Sequence, residues 1–181
     1  MKAIVVYGSK RNNSTSKAAI EQILKGAKEA GYDEVVEYDI NKIDLKGCRN
    51  CGACKKTDGF CVINDDLKDY FDELTSADAI IISSPNYMSN VIGPMITFMN
   101  RHYCLRDAER NIKLQKKVKL ISVYSQGAPA EMPNYEANYD WFTNCFIGMG
   151  MENAGKIVMR GQMPEEGAEI FVKAYELGKN L

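Results

Sequence analysis

The sequence lacks any uninterrupted apolar run approaching the roughly 20 residues of a membrane-spanning helix. Its opening stretch, Met1-Lys2-Ala3-Ile4-Val5-Val6-Tyr7-Gly8, is too short in apolar residues for the hydrophobic region of a secretory signal. These absences set the expectation of a cytoplasmic protein with no membrane partner. Charge of one sign is also missing. Lys and Arg number 23 against 24 Asp and Glu, with no long basic run, so nucleic acid is not an expected partner. Histidine is nearly absent: His102 alone, in FMNRHYC, offers no evident constellation for a metal or a general base. No repeat, low-complexity tract or linker-like stretch divides the chain, so residues 1–181 are expected to form one domain.

What is present is ordinary in bulk and specific in its patterning. Hydrophobic residues make up 45% and charged residues 26%, as in a soluble globular protein. KAIVVY at 2–7 is a continuous, β-branched apolar run, suited to a strand buried on both faces. Further strands are expected at 34–39, at 79–83 (ended by Pro85), at 118–124 and at 157–159. Apolar residues at helical spacing predict helices over about 14–30, 65–76, 93–103, 135–149 and 165–179, with Gly31 stopping the first. The charged stretch 106–117 reads as a surface connection. Strands alternating with helices imply an α/β fold with a parallel sheet covered on both faces. Five strands point to the flavodoxin-like order 2-1-3-4-5, a three-layer sandwich that binds ligands at the carboxyl ends of its strands.

Three loops fall at that edge. The first, GSKRNNSTS at 8–16, joins a buried strand to a helix start, where free N–H groups and the helix dipole favour a phosphate. It matches neither G-x-G-x-x-G nor G-x-x-x-x-G-K-[ST], so neither a dinucleotide fingerprint nor a P-loop is supported. A plain N-cap at Ser14 explains part of it equally well. Ser84-Pro85-Asn86-Tyr87 follows the third strand and Ser125-Gln126-Gly127 the fourth. Together the loops suit a phosphate-bearing, planar ligand.

Four of the six cysteines lie in CRNCGACKKTDGFC, residues 48–61, spaced C-x2-C-x2-C-x6-C. Such a compact run is typical of [4Fe–4S] ligation. Structural zinc would also accept four thiolates, although zinc ribbons use two separated C-x2-C pairs. Thiols that bind nothing are a third reading, and a reducing compartment disfavours disulfides. Cys104 and Cys145 stand alone and read as packing residues. Asp65-Asp66 reads as an acidic helix start, and Tyr135, Tyr139 and Trp141 as core or subunit interface.

GSKRNNSTS after an AIVVY strand, SSPNYMSNVIGPMITFMNR after an AIII strand, and CRNCGACKKTDGFCVINDDL between them resemble the NADPH-dependent FMN reductase superfamily. Within it, the likeness is strongest to the iron–sulfur flavoproteins. It runs from about residue 1 to 127; the last third is generic. The resemblance implies FMN, with Ser9, Arg11, Ser14 and Ser16 as phosphate ligands and Thr15 contributing its backbone. Lys10 stands where relatives usually carry proline. Pro85, Asn86 and Tyr87 would neighbour the isoalloxazine ring, with Ser125, Gln126 and Gly127 also facing it. Cys48, Cys51, Cys54 and Cys61 match the ligands of a [4Fe–4S] cluster carried on an insert at about 46–64, after the second strand. No catalytic side chain is expected. Electrons would come from NAD(P)H or a ferredoxin-type donor and pass to a small-molecule or protein acceptor, in a homodimer or homotetramer. Two alternatives stay open: a cluster-free NAD(P)H-dependent FMN or quinone reductase acting also on azo or nitro compounds, and an FMN-binding module whose thiols sense redox state.

Overall fold

A computed structural model describes residues 1–181. The chain runs β1 (Lys2–Tyr7), α1 (Thr15–Glu29), β2 (Glu34–Asp39), α2 (Leu67–Ser76), β3 (Ala79–Tyr87), β4 (Asn90–Val91), α3 (Gly93–Arg101), β5 (Val118–Gln126), α4 (Pro133–Ile147), β6 (Met151–Arg160) and α5 (Glu169–Lys179). Five strands pair in parallel in the order β2-β1-β3-β5-β6, the expected flavodoxin-like arrangement. The two-residue β4 adds a short antiparallel hairpin to the end of β3.

Because side chains alternate across a strand, each apolar run supplies both faces of the sheet. Ile4, Val6, Ile80, Ile82, Leu120 and Tyr124 point one way, into a core closed by α2, α3 and α4. Ala3, Val5, Ala79, Ile81, Ile121 and Val123 point the other way, against α1 and α5. This double burial explains why the central strands carry uninterrupted β-branched residues.

Several boundaries differ from expectation: β5 runs on to Gln126, and α5 begins at Glu169 rather than near residue 165. Pro85 does not end its strand, since β3 continues to Tyr87. Its pairing with β1 stops at Ile82 opposite Val6, so beyond that point β3 has one free side where a missing N–H breaks no ladder bond. Strand β6 is also longer than Ile157–Met159, starting at Met151. As an edge strand it leaves Glu152 and Asn153 exposed, so its first half shows no apolar run.

Candidate functional site

The carboxyl ends of the strands open on one cavity of about 600 Å³. Arg11 and Thr15 line it from the first loop, Pro85, Asn86 and Tyr87 from β3, and Ser125, Gln126 and Gly127 from β5. The topology therefore brings eight of the eleven predicted ligand-loop residues into one wall. Asn13 and, after β6, Gly161, Gln162 and Met163 complete the lining. The sequence reading missed these four. Gly161 is placed by its N–H donating to the Gln126 carbonyl at 3.0 Å, an order set by the β5–β6 register and visible in no local motif.

Ser9, Ser14 and Ser16 lie buried beneath the loop and do not line the cavity. Ser14 caps α1, its Oγ accepting the Lys17 N–H at 3.3 Å, and Ser16 Oγ lies 3.2 Å from it. Ser9 Oγ accepts the Arg11 N–H at 3.3 Å. These hydroxyls shape the loop, whereas the N–H groups of Thr15 and Ser16 donate to nothing in the chain. Arg11 is exposed and has no ion-pair or side-chain hydrogen-bond partner. An open first turn and a free guanidinium on one rim form an anion-binding corner. Asn41 Nδ2 donates to the Gly8 carbonyl at 2.9 Å and holds the loop's entry.

The opposite wall holds an unmet donor. Asn86 Nδ2 is buried with no hydrogen-bond partner, close to the Tyr139 hydroxyl but without ordinary hydrogen-bond geometry to it. A buried amide left unpaired is costly, so a ligand acceptor at this place has a physical rationale. Gln126 is spent internally: Nε2 donates to the Ala128 and Ala130 carbonyls and Oε1 accepts from Tyr139. At Gly127 a Cβ would meet nothing within 4 Å, so the floor there is open to a flat group. An FMN-sized ligand, with a phosphate at one end and ring acceptors at the other, fits these donors.

The cysteine segment contributes nothing to this cavity. Cys48 and Cys51 are exposed, Cys54 and Cys61 half-buried, and all four are free thiols. The donor chemistry suits iron and sulfide, but the arrangement does not: no group of three or more His, Cys, Asp or Glu side chains comes together to hold a metal ion. The segment is pinned at its base by an ion pair missed in the sequence. Arg101, at the end of α3, is fully buried and pairs with the Asp65 carboxylate, also giving Nη1 to the Lys46 carbonyl at 2.7 Å. Burial works against both charges, yet the pairing holds the Asp65 carboxyl below its ordinary value and Arg101 above its own. Asp65 is thus a structural anchor rather than only a helix start.

Cys104 is a buried packing residue, as expected, and His102 is buried in the core beside it. Burial drops the His102 imidazole to about 4 and pushes the Cys104 thiol up to about 12. His102 Nε2 lies 2.7 Å from the Tyr70 hydroxyl, and Nδ1 lies 2.9 Å from the Phe98 carbonyl. Tyr139 is buried and stacks on Tyr124 at 4.3 Å, while Trp141 is exposed.

The sequence profile of the NADPH-dependent FMN reductases matches residues 1–162. The chain belongs to this family. It is similar to an iron-sulfur flavoprotein of Methanosarcina thermophila, at 30% identity over 78% of this chain and 72% of that one. An iron-sulfur flavoprotein of Archaeoglobus fulgidus is 30% identical over 100% of this chain and 79% of its own. Among solved structures, an NAD(P)H:quinone oxidoreductase from Methanothermobacter marburgensis superposes with a TM-score of 0.75 at 15% identity, covering 99% of this chain and 95% of that chain. The azoreductase AzrA gives 0.70 at 19% identity, over the whole of both chains. These two share the fold. Family membership makes the protein a flavin-dependent oxidoreductase.

Proposed function

We propose that this flavin-dependent oxidoreductase binds FMN in the 600 Å³ cavity and carries electrons from NAD(P)H or a ferredoxin-type donor to an acceptor, with a [4Fe–4S] cluster on Cys48, Cys51, Cys54 and Cys61. The observation that carries the FMN assignment is the set of unmet donors around one cavity, Arg11, the Thr15 N–H and Asn86 Nδ2, with the free Ser16 N–H in the same first turn of α1. Bound FMN supplies the hydride and single-electron chemistry. The chain's residues hold and orient it. Arg11 and the α1 amides take the phosphate, Asn86 donates to the ring's polar edge, and Gly127 leaves room for the ring plane. Of the lining residues only Arg11 and Tyr87 carry an ionisable group.

The cluster rests on the cysteine spacing and on the name shared by the curated relatives. A cytoplasmic setting, where thiols stay reduced, suits four free cysteines. The second reading, a cluster-free reductase of quinones, azo dyes or nitro compounds, is favoured by the scattered sulfurs. Anaerobic purification followed by iron, acid-labile sulfide and flavin analysis separates the two. The cluster reading expects about four irons per chain, as a [4Fe–4S] centre requires, and their loss in Cys54→Ser. Flavin alone with all four thiols free to react supports the second reading and rejects the first.

A further inference from the structure

Gln126, the last residue of β5, lines the flavin cavity but keeps no proton for a ligand. Its Nε2 donates to the Ala130 carbonyl at 2.9 Å and to the Ala128 carbonyl at 3.1 Å. Its Oε1 accepts the Tyr139 hydroxyl proton at 3.1 Å, and its main-chain carbonyl accepts the Gly161 N–H at 3.0 Å. One residue thus joins three elements around the cavity: the loop after β5, helix α4 and the chain leaving β6. The two Nε2 bonds are the only hydrogen bonds made by the main chain of residues 127–131, four of which are exposed. The loop they gather lies over Gly161, where a Cβ would sit 3.5 Å from Pro129.

The amide can face only one way. Carbonyl oxygens accept and never donate, so the NH2 group must meet Ala128 and Ala130, and the oxygen must meet Tyr139. Tyr139 is therefore the donor of that pair, and its proton is committed within the chain. Its ring is fixed as well: it stacks on Tyr124 at 4.3 Å, and the Tyr124 hydroxyl donates to the Tyr139 carbonyl at 3.0 Å. The charged groups nearby pair among themselves. Glu136 takes Arg160 at 2.7 Å and Lys156 at 3.0 Å, and Arg160 lies 3.7 Å from Glu131.

We propose that Gln126 is the positioning residue of the flavin site: it sets the wall built by residues 127–131 and Gly161, and it commits the Tyr139 proton so that Asn86 Nδ2 is the donor left for the ring's polar edge. The inference rests on the FMN reading of the cavity. It gives Gln126 a supporting role in place of direct contact with the ring. A side chain that cannot donate at this position lets the loop go, and the cavity loses its surface beside Gly127.

The test pairs FMN titration of flavin-stripped protein with cleavage after Glu131 by a glutamate-specific protease. In Gln126→Leu, cleavage after Glu131 rises about tenfold and FMN affinity falls by about the same factor, as the loss of one or two neutral hydrogen bonds implies. Cleavage after the exposed Glu109 keeps its rate. Gln126→Glu sets a carboxylate against two carbonyl oxygens at pH 8 and binds FMN weakly. Those oxygens hold the introduced carboxyl above its ordinary value, so lowering the pH to 6 restores an O–H donor and narrows the gap to the native chain at the same pH. Tyr139→Phe keeps the stacked ring but removes the proton that orients Gln126, and shows a smaller loss that does not change with pH. The last two variants decide the matter if Gln126→Leu does not fold. Native FMN affinity in Gln126→Leu, or in Gln126→Glu at pH 8, overturns the proposal even where the melting temperature falls, because Gln126 then only adds stability. A loss in Gln126→Glu that is no smaller at pH 6 overturns it too. A native chain that takes up no FMN rejects the flavin reading, while cleavage after Glu131 still decides whether Gln126 sets the loop.

Discussion

At Gly8 there is no room for a side chain. A Cβ would lie 2.3 Å from the Ser83 carbonyl oxygen, so the first loop leaves β1 only because β1 and β3 touch there backbone to backbone. Single residues elsewhere set the chemistry in the same way: Arg11 has no acidic partner, and Asn86 Nδ2 is buried without an acceptor. His102 gives a pH signature. Held at about 4 by burial against 6.5 for an ordinary histidine, it stays neutral in the fold and takes a proton on unfolding. The unfolded chain therefore binds more protons between pH 6.5 and 4, and stability falls as pH drops through that window. The loss reaches up to about 3 kcal/mol by pH 4 and below. Urea midpoints measured from pH 7 to pH 4 should fall more steeply for the native chain than for His102→Gln; parallel curves contradict a neutral His102. Asp65, held below its ordinary 3.8, loses its contribution only at lower pH.

Elements are joined mainly by contacts distant in sequence. The Arg101–Asp65 pair ties the end of α3, the start of α2 and the base of the cysteine segment, across 36 residues. Both side chains are fully buried. Asp65→Asn leaves an uncompensated cation and is expected to cost about 3–5 kcal/mol. Combining Asp65→Leu with Arg101→Met should cost far less than the two single changes added together, as measured by denaturation in a double-mutant cycle. Additive losses contradict a buried pair. This anchor shows where sequence reading stops. The central strands and amphipathic helices were legible because burial on two faces or one writes its period into the chain, as in Ala3–Val6 and in Leu67, Tyr70, Phe71 and Leu74. The first half of β6 was not, because an edge strand half in water carries polar residues. Of the site, the first loop and the carboxyl ends of β3 and β5 were readable from the apolar runs that lead into them, although Pro85–Tyr87 and Ser125–Gln126 belong to the strands rather than to loops after them. Gly161, Gln162 and Met163 join them only through the register that sets Gln126 beside Arg160. A position just beyond the last parallel strand is the one signal that could have found them.

At the scale of the whole molecule, two surfaces divide the work. The flavin cavity opens at the carboxyl edge of the sheet. Beside the cysteine segment, a separate cleft of about 390 Å³ brings Cys48 together with Met99, Tyr103, Cys145 and Met149. Helix α4 adds Trp141, 48% exposed, and the β3–β4 turn adds Met88, 97% exposed, leaving large apolar groups in water. We propose a homodimer or homotetramer that covers such exposed apolar groups, Trp141 among them. Sedimentation should show a dimer or larger species that Trp141→Glu dissociates; a monomer at all working concentrations contradicts it. No helix is long and apolar enough to cross a membrane. The central claim concerns the cavity, and titration of flavin-stripped protein with FMN, followed by fluorescence quenching, tests it most directly. The native chain should take up one equivalent. Gly127→Val places its side chain in open cavity space and should weaken binding at least about tenfold, the loss of roughly 1.4 kcal/mol, at an unchanged melting temperature. Undiminished FMN affinity in a folded Gly127→Val would show that the flavin sits elsewhere.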